Sequence, residues 1–311
     1  MPRAPSPLAD LDWASIAALR LRARAAADGL YAGAHRSHRR GPGVEFGGNR
    51  PYVPGDDLRW LDRRALLRHE RLLVREFETE TDRGLRLLVD ASASMGFTGD
   101  AARPTKLQYA SVVAAALGRL ALASGDPVGL AFVAGQDARP LAASAGRESF
   151  DRLAFALAST RPGGDATLDT AAFDRALAPI LRRAHRGTIV VLLSDLLDLP
   201  DDAAAHLAAL AGRGHVLVVA QVLDPVEATF PFEGTVRLRA LEGASVVEAD
   251  AASARAPYLR ALADLTDGWQ RVLDRVGGYL VRAVTDADPA SAVRAIVTAT
   301  SGRAARREAR A

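Results

Sequence analysis

From Gly84 onward, short apolar runs alternate with longer amphipathic segments. The apolar runs are rich in Val, Leu and Ile and carry few polar residues, which is typical of parallel strands covered on both faces. The predicted strands are Leu85 to Val89, Val128 to Val133, Thr188 to Ser194, His215 to Val222 and Tyr279 to Val284, with a weaker candidate at Arg139 to Ala143.

The segments between these runs have the apolar spacing of amphipathic helices. The predicted helices are Lys106 to Ala123, Arg147 to Ala158, Leu168 to Arg183, Asp201 to Gly212 and Pro257 to Val276. The alternation predicts an α/β fold, a doubly wound and mainly parallel sheet of about six strands flanked by helices, as in Rossmann-like domains. Segment Asp224 to Glu248 breaks the alternation and is expected to form an excursion above the sheet edge.

The first part of the chain has a different pattern. Asp10 to Asp28 is predicted to form one amphipathic helix, Gly41 to Gly55 to form loops and short strands, and Leu72 to Glu80 to form a half-exposed strand. A turn at Asp82 to Gly84 then leads into the first apolar strand. We therefore expect an N-terminal helix with an irregular extension at 1–83, the α/β domain at 84–300, and a frayed basic tail at 301–311.

Composition narrows the protein class. The 311 residues are 49% hydrophobic, contain no cysteine and carry a formal net charge of +3. Disulfides and thiolate metal sites are thereby excluded, and neither a signal peptide nor a membrane span is expected, so a cytoplasmic location is the expectation. Lys106 is the only lysine. The other basic residues include a cluster of His35, Arg36, His38, Arg39, Arg40, Arg63, Arg64, Arg68, Arg71 and Arg75.

This basic cluster has two interpretations. A solvated surface is the simpler one, and nucleic acid is therefore an unlikely partner. An arginine-driven binder of nucleic acid or another polyanion is the alternative, and a steep loss of affinity with salt would support it.

The first apolar strand ends in a group of oxygen-bearing side chains. Asp90, Ser92 and Ser94 alternate with alanines, so three oxygens could converge on one point. Oxygen ligands without nitrogen or sulfur select hard cations such as Mg²⁺, and neutral hydroxyls leave much of the ion's charge uncompensated. The alternative is structural, because Asp90 could cap the following turn while the serines bind backbone donors.

A second apolar strand also ends in an aspartate, Asp195, and a glycine-containing loop carries Thr167 just before a predicted helix. Ligands of doubly wound sheets bind beyond the carboxyl ends of the strands where the strand order reverses. With the order 3-2-1-4-5-6, the strands that end in Asp90 and Asp195 are adjacent at that point. Asp195 could instead cap a turn before Pro200.

The sequence lacks the motifs of several enzyme classes. The chain has no Gly-x-x-x-x-Gly-Lys phosphate loop and no Gly-x-Ser-x-Gly nucleophile elbow. His69 and Glu70 begin a zinc-protease motif, but Leu73 stands at the second histidine position. A haloacid-type phosphatase would have a second aspartate two residues after Asp90, where this chain has Ser92. We therefore expect a protein without catalytic activity, and a metal-assisted phosphohydrolase is the least favoured alternative.

The five residues Asp90, Ser92, Ser94, Thr167 and Asp195 resemble the metal-ion-dependent adhesion site (MIDAS) of von Willebrand factor type A (vWA) domains. The stretch from Phe46 to Arg59, together with the motifs that begin at Lys106 and Gly125, is similar to the bacterial domain of unknown function 58 (DUF58) family.

Two departures from the family pattern accompany this resemblance. The family's Ile-Asp-Trp element is replaced by Leu61-Asp62-Arg63, with a tryptophan displaced to position 60. The glycine loop has an altered order, which leaves Thr170 as the alternative to Thr167.

The resemblance implies a binding module rather than an enzyme. In such domains the serine pair and the threonine coordinate Mg²⁺ directly, and the aspartates help directly or through water; Mn²⁺ or Ca²⁺ could take the same place. The implied partner is a protein that offers an acidic side chain to the metal. Related proteins are commonly encoded beside MoxR-type AAA+ ATPases, so an adaptor for such an ATPase or for its client is the expected role.

Overall fold

The structure, a computed structural model, describes residues 45–51, 72–78, 84–100, 102–146, 148–164, 170–197, 199–239 and 246–308. The chain divides into a small unit, Ala34–Asp82, and a larger unit that includes the segment from Arg83 onward. The predicted helix Asp10 to Asp28 lies outside the described residues, as does most of the basic cluster.

The small unit contains an antiparallel pair of strands, β1 (Glu45–Pro51) and β2 (Leu73–Glu78). Arg50 pairs with Val74, and a bulge interrupts the register between Phe46 and Gly48. The strand predicted at Leu72 to Glu80 is therefore confirmed over Leu73–Glu78, and the last two predicted residues lie outside the described ones. Its partner is β1 in this unit, whereas the next apolar strand belongs to a different sheet.

The larger unit is built on one six-stranded sheet. Its strands are β3 (Leu85–Asp90), β4 (Val128–Val133), β5 (Leu141–Ser144), β6 (Ile189–Ser194), β7 (Val216–Leu223) and β10 (Tyr279–Val284). Their order across the sheet is β10-β7-β6-β3-β4-β5, and only the edge strand β5 is antiparallel to its neighbour. The predicted doubly wound, mainly parallel sheet is confirmed, and every predicted strand end lies within two residues of the observed one.

Helices cover both faces of this sheet. They are α1 (Lys106–Ala123), α2 (Ser149–Ser159), α3 (Thr170–Arg183), α4 (Ala203–Gly212), the short α5 (Pro225–Thr229), α6 (Ala251–Val276) and α7 (Pro289–Glu308). Alternate residues of each strand point to opposite faces, so Leu87 and Val89 pack with α1, α2 and α7, whereas Leu88 packs with α3, α4 and α6. Two apolar layers therefore fix the strands from either side.

The structure differs from the sequence prediction in the last third of the chain. Helix α6 begins at Ala251 rather than at Pro257, because the Asp250 side chain accepts a hydrogen bond from the backbone N–H of Ser253 and caps the helix there. Helix α7 was not predicted, and it continues to Glu308, so the expected tail boundary at residue 301 falls inside a helix.

The excursion expected at Asp224 to Glu248 consists of α5 followed by an antiparallel hairpin. Its strands are β8 (Thr235–Arg239) and β9 (Val246–Asp250).

Among the described helices, none combines the length and the apolar character that a bilayer-spanning segment requires.

Candidate functional site

The candidate site lies at the carboxyl edge of the sheet, where β3 and β6 end side by side. Val89 pairs with Leu193 across these two strands, which brings the next residues, Asp90 and Ser194, level with each other. The Ser194 hydroxyl donates a hydrogen bond of 2.6 Å to Oδ2 of Asp90, and both side chains are buried. The predicted adjacency of the strands that end in Asp90 and Asp195 is confirmed by this topology.

The loop after β3 folds back over its own carboxylate. Asp90 Oδ1 accepts a hydrogen bond of 3.0 Å from the backbone N–H of Ser92, and a 3-10 turn follows at Ala93–Gly96. The hydroxyl oxygens of Ser92 and Ser94 lie 3.1 Å apart, and both residues are buried. Two hydroxyls beside one carboxylate form a set of hard oxygen donors, which fits Mg²⁺, Mn²⁺ or Ca²⁺ rather than a soft metal.

The glycine loop is attached to this loop by backbone hydrogen bonds. Gly163 donates its N–H to the carbonyl oxygen of Ala91 at 2.9 Å, and Ala93 donates its N–H to that of Gly164 at 3.1 Å. Gly164 has a φ of +83°, a conformation that residues with a Cβ rarely adopt. The described end of this loop is thus fixed beside the Asp90 loop.

Thr167, the predicted ligand of the glycine loop, lies outside the described residues. Thr170, the alternative, is the first residue of α3, and its side chain also lies outside them. The assignment of either threonine to the site therefore stays a prediction.

Asp195 is engaged by a cation from the protein itself. Its Oδ2 atom accepts a hydrogen bond of 2.7 Å from Nζ of Lys106, whose side chain is fully buried. The same ammonium donates to Oε1 of Glu227 at 2.5 Å. The other oxygen of Asp195 accepts the backbone N–H of Leu197 at 3.0 Å, so both oxygens have partners.

The electrostatics of these groups follow from burial and mutual charge. Burial, followed by the charge of Asp195, raises the pKa of Asp90 to about 6, against hydrogen bonds from Ser194 and Ser92 that lower it. Burial also opposes the charge on Lys106, but attraction to Asp195 and Glu227 outweighs it and raises the lysine pKa. Burial raises the pKa of Glu227 despite its contact with Lys106.

Asp224 joins the two loops that surround the lysine. It caps α5 by accepting the N–H of Val226 at 2.8 Å, and it accepts the N–H of Gly99 at 3.1 Å. Glu227 also binds this turn, and its Oε2 atom accepts a hydrogen bond of 3.0 Å from the backbone N–H of Asp224. The segments after β3, β6 and β7 therefore form one hydrogen-bonded group at the carboxyl edge.

Among the predicted site residues, the structure brings Asp90, Ser92 and Ser94 together. Asp195 lies beside this group, and its carboxylate is paired with the ammonium of Lys106. Sequence reasoning missed Ser194, Lys106 and Glu227 as members of the site. One signal was available for Lys106, because a single lysine in a chain that otherwise uses arginine stands at the start of the helix after the Asp90 loop.

No group of three or more His, Cys, Asp or Glu side chains with a metal-binding arrangement occurs among the described residues. A metal site here would consequently depend on serine hydroxyls for much of its coordination.

Comparison with known proteins gives the family. The profile of the family described as "Protein of unknown function DUF58" matches residues 48–267. An uncharacterized protein of Mycobacterium tuberculosis (strain H37Rv), Rv1480, is 31% identical over 282 residues, which cover 88% of this chain and 85% of that protein.

Two solved structures are similar to this chain. One is an aerotolerance-related membrane protein from Bacteroides fragilis (20% identity, 71% of this chain and 99% of that chain, TM-score 0.47). The other is the SpRpn10 VWA domain (15% identity, 68% of this chain and 93% of that chain, TM-score 0.37).

The family profile extends from β1 into α6, and the mycobacterial protein is similar over most of its length. The chain therefore belongs to the DUF58 family.

Proposed function

We propose that this protein is a metal-dependent protein-interaction module whose site holds a divalent cation and offers it to an acidic side chain of a partner protein. Asp90, Ser92 and Ser94 are the core ligands, with Thr167 and Asp195 contributing directly or through water. The observation that carries the proposal is the convergence of two buried hydroxyls, 3.1 Å apart, beside the Asp90 carboxylate.

The chemistry of these ligands favours an anionic partner. Serine hydroxyls are neutral, so a bound Mg²⁺ or Mn²⁺ supplies residual positive charge that attracts an external carboxylate. The serines hydrogen-bond to a carboxylate or to each other, and the lysine amine is bound by two carboxylates. These contacts provide no activated nucleophile, which supports binding without catalysis.

A cavity beside the site supports the same kind of partner. Its volume is about 580 Å³, and its lining includes Leu107 at the start of α1 and Pro162 next to the glycine loop. Arg103 and Arg161 also line it. A lining that combines two arginines with apolar side chains suits a partner segment that combines acidic and apolar side chains.

The resemblance to proteins encoded beside MoxR-type AAA+ ATPases supports a more specific partner. We propose that such an ATPase, or its client, supplies the acidic side chain and that this protein acts as its adaptor.

Thermal melting with added metal tests the proposal. Mn²⁺ at about 100 times its dissociation constant should add about 2.7 kcal/mol of stability, which corresponds to a rise in Tm of about 5–10 °C for a domain of this size. The Ser92→Ala/Ser94→Ala double variant should lose this rise because it lacks two neutral oxygen ligands.

Ser124→Ala is the matched control, since its hydroxyl bonds to the Leu120 carbonyl oxygen at the far end of α1. It should respond to Mn²⁺ like the wild type. An equal Mn²⁺ response in the double variant, or none in the wild type, would refute the proposed site.

A further inference from the structure

Lys106 occupies an unusual place for a lysine. It is the first residue of α1 and the only lysine in the chain, and its side chain has no exposure to solvent. Buried ammonium groups are strongly disfavoured unless they are paired and hydrogen-bonded. Here the pairing is double, with Asp195 at 2.7 Å and Glu227 at 2.5 Å, and the Phe97 ring lies 5.8 Å away.

The two carboxylates are themselves fixed by backbone donors. The second oxygen of Asp195 accepts the N–H of Leu197, and the second oxygen of Glu227 accepts the N–H of Asp224. Neither carboxylate can turn toward another cation without giving up a hydrogen bond to the ammonium or to the backbone. The arrangement is a closed cation site in which a protein ammonium is the cation.

This closed site stands next to the proposed metal site. Asp90 and Ser194 are level on β3 and β6 and bond to each other, whereas Asp195, one residue on, bonds to the start of α1. Successive residues of an extended chain point to opposite sides. Ser194 and Asp195 are such a successive pair, and Ser194 bonds to the Asp90 carboxylate while Asp195 bonds to the lysine.

We propose that Lys106 is a positioning and specificity-determining residue whose ammonium serves as a resident cation, holding Asp195 away from direct metal coordination. This inference rests on the proposed function. It deepens that proposal because a divalent ion beside Asp90, Ser92 and Ser94 then has one protein carboxylate rather than two. The remaining positive charge makes the site selective for partners that carry an acidic group.

The Lys106→Met variant separates this role from a purely structural one. Loss of the ammonium leaves two buried carboxylates without a counter-charge, so Tm in chelator should fall by on the order of 10 °C. The same loss frees Asp195 to face the metal and removes a nearby positive charge, so calorimetric titration should show Mn²⁺ binding tightened about tenfold. A residue that only stabilised the fold would not tighten metal binding.

Two further variants keep the test decisive if Lys106→Met does not fold. Glu227→Gln removes one competitor for the ammonium and should weaken Mn²⁺ binding about threefold, because Lys106 then pairs with Asp195 alone and the local negative charge decreases. Lys106→Arg keeps the charge and should hold Mn²⁺ affinity to within about twofold of the wild type.

The outcomes separate the two proposals. Mn²⁺ binding that is unchanged or weaker in Lys106→Met, or tighter in Glu227→Gln, would overturn the inference while leaving the proposed function intact. A wild type that binds no Mn²⁺ would overturn the proposed function. In that case, binding gained in Lys106→Met would still support a resident cation that excludes the metal, and its absence would overturn both.

Discussion

Asp90 shows how burial sets the behaviour of a single residue in this protein. Its carboxyl accepts hydrogen bonds from Ser92 and Ser194, but it lies out of contact with solvent and near the charge of Asp195. The hydrogen bonds favour the charged form, and burial outweighs them, so the pKa rises to about 6. A bound cation would favour the charged form again, which couples metal binding to proton release.

This raised pKa predicts a specific dependence of stability on pH in chelator. The folded state binds the Asp90 proton more tightly than the unfolded state does. Protonation of Asp90 therefore stabilises the folded state at low pH, and this contribution to the free energy of unfolding is lost as the pH rises through about 6. A pKa rise from 3.8 to about 6 corresponds to about 3 kcal/mol. Asp90→Asn should therefore match the wild type near pH 4 and exceed its stability at pH 7, as urea unfolding can measure. A stability difference between the two that stays constant with pH would contradict this account.

At the scale of elements, capping residues decided where helices begin and which loops they hold. Asp224 and Asp250 both cap helices by accepting a backbone N–H, but Asp224 is buried and also holds Gly99 of the loop before α1, whereas Asp250 is exposed. Pro257 was a plausible first residue of α6 in the sequence, and the Asp250 cap overrode it. The first residue of a helix was therefore decided by which candidate capping side chain accepts a hydrogen bond from a backbone N–H of the first turn.

The two caps predict different losses of stability. Asp224→Ala should destabilise the fold by about 2–4 kcal/mol, because it removes a helix cap and leaves the Gly99 N–H without its acceptor. Asp250→Ala, the control, removes only a cap and should cost about 1 kcal/mol. Urea unfolding of both variants gives the comparison, and equal losses would show that the Gly99 contact contributes nothing measurable.

At the scale of the whole molecule, the strand order places the site. The central strands β3 and β6 are neighbours although about a hundred residues separate them in the chain, and both are covered by helices on each face. The loops that follow them are consequently supported by the most deeply buried part of the sheet. The β8–β9 hairpin, in contrast, exposes Val246 and Val247.

Hydrogen exchange should report this organisation. Without metal, amides of β3 and β6 should exchange most slowly, since their opening requires disruption of both apolar layers. Added Mg²⁺ should slow exchange in peptides that cover 91–97 and leave those of the β8–β9 hairpin unchanged. Slowing spread equally over all peptides would indicate global stabilisation, and unchanged exchange in the peptides that cover 91–97 would contradict an ion bound beside Asp90, Ser92 and Ser94.

The sequence by itself determined the sheet, four of the helices to within about two residues and the group Asp90, Ser92 and Ser94, because apolar periodicity and a short motif are local properties. Only the tertiary structure decided what surrounds Asp195. Its partners Lys106 and Glu227 come from elements 89 and 32 positions away, and no local pattern encodes which buried charges will meet. That pairing follows from the order of the strands and from the face on which α1 packs.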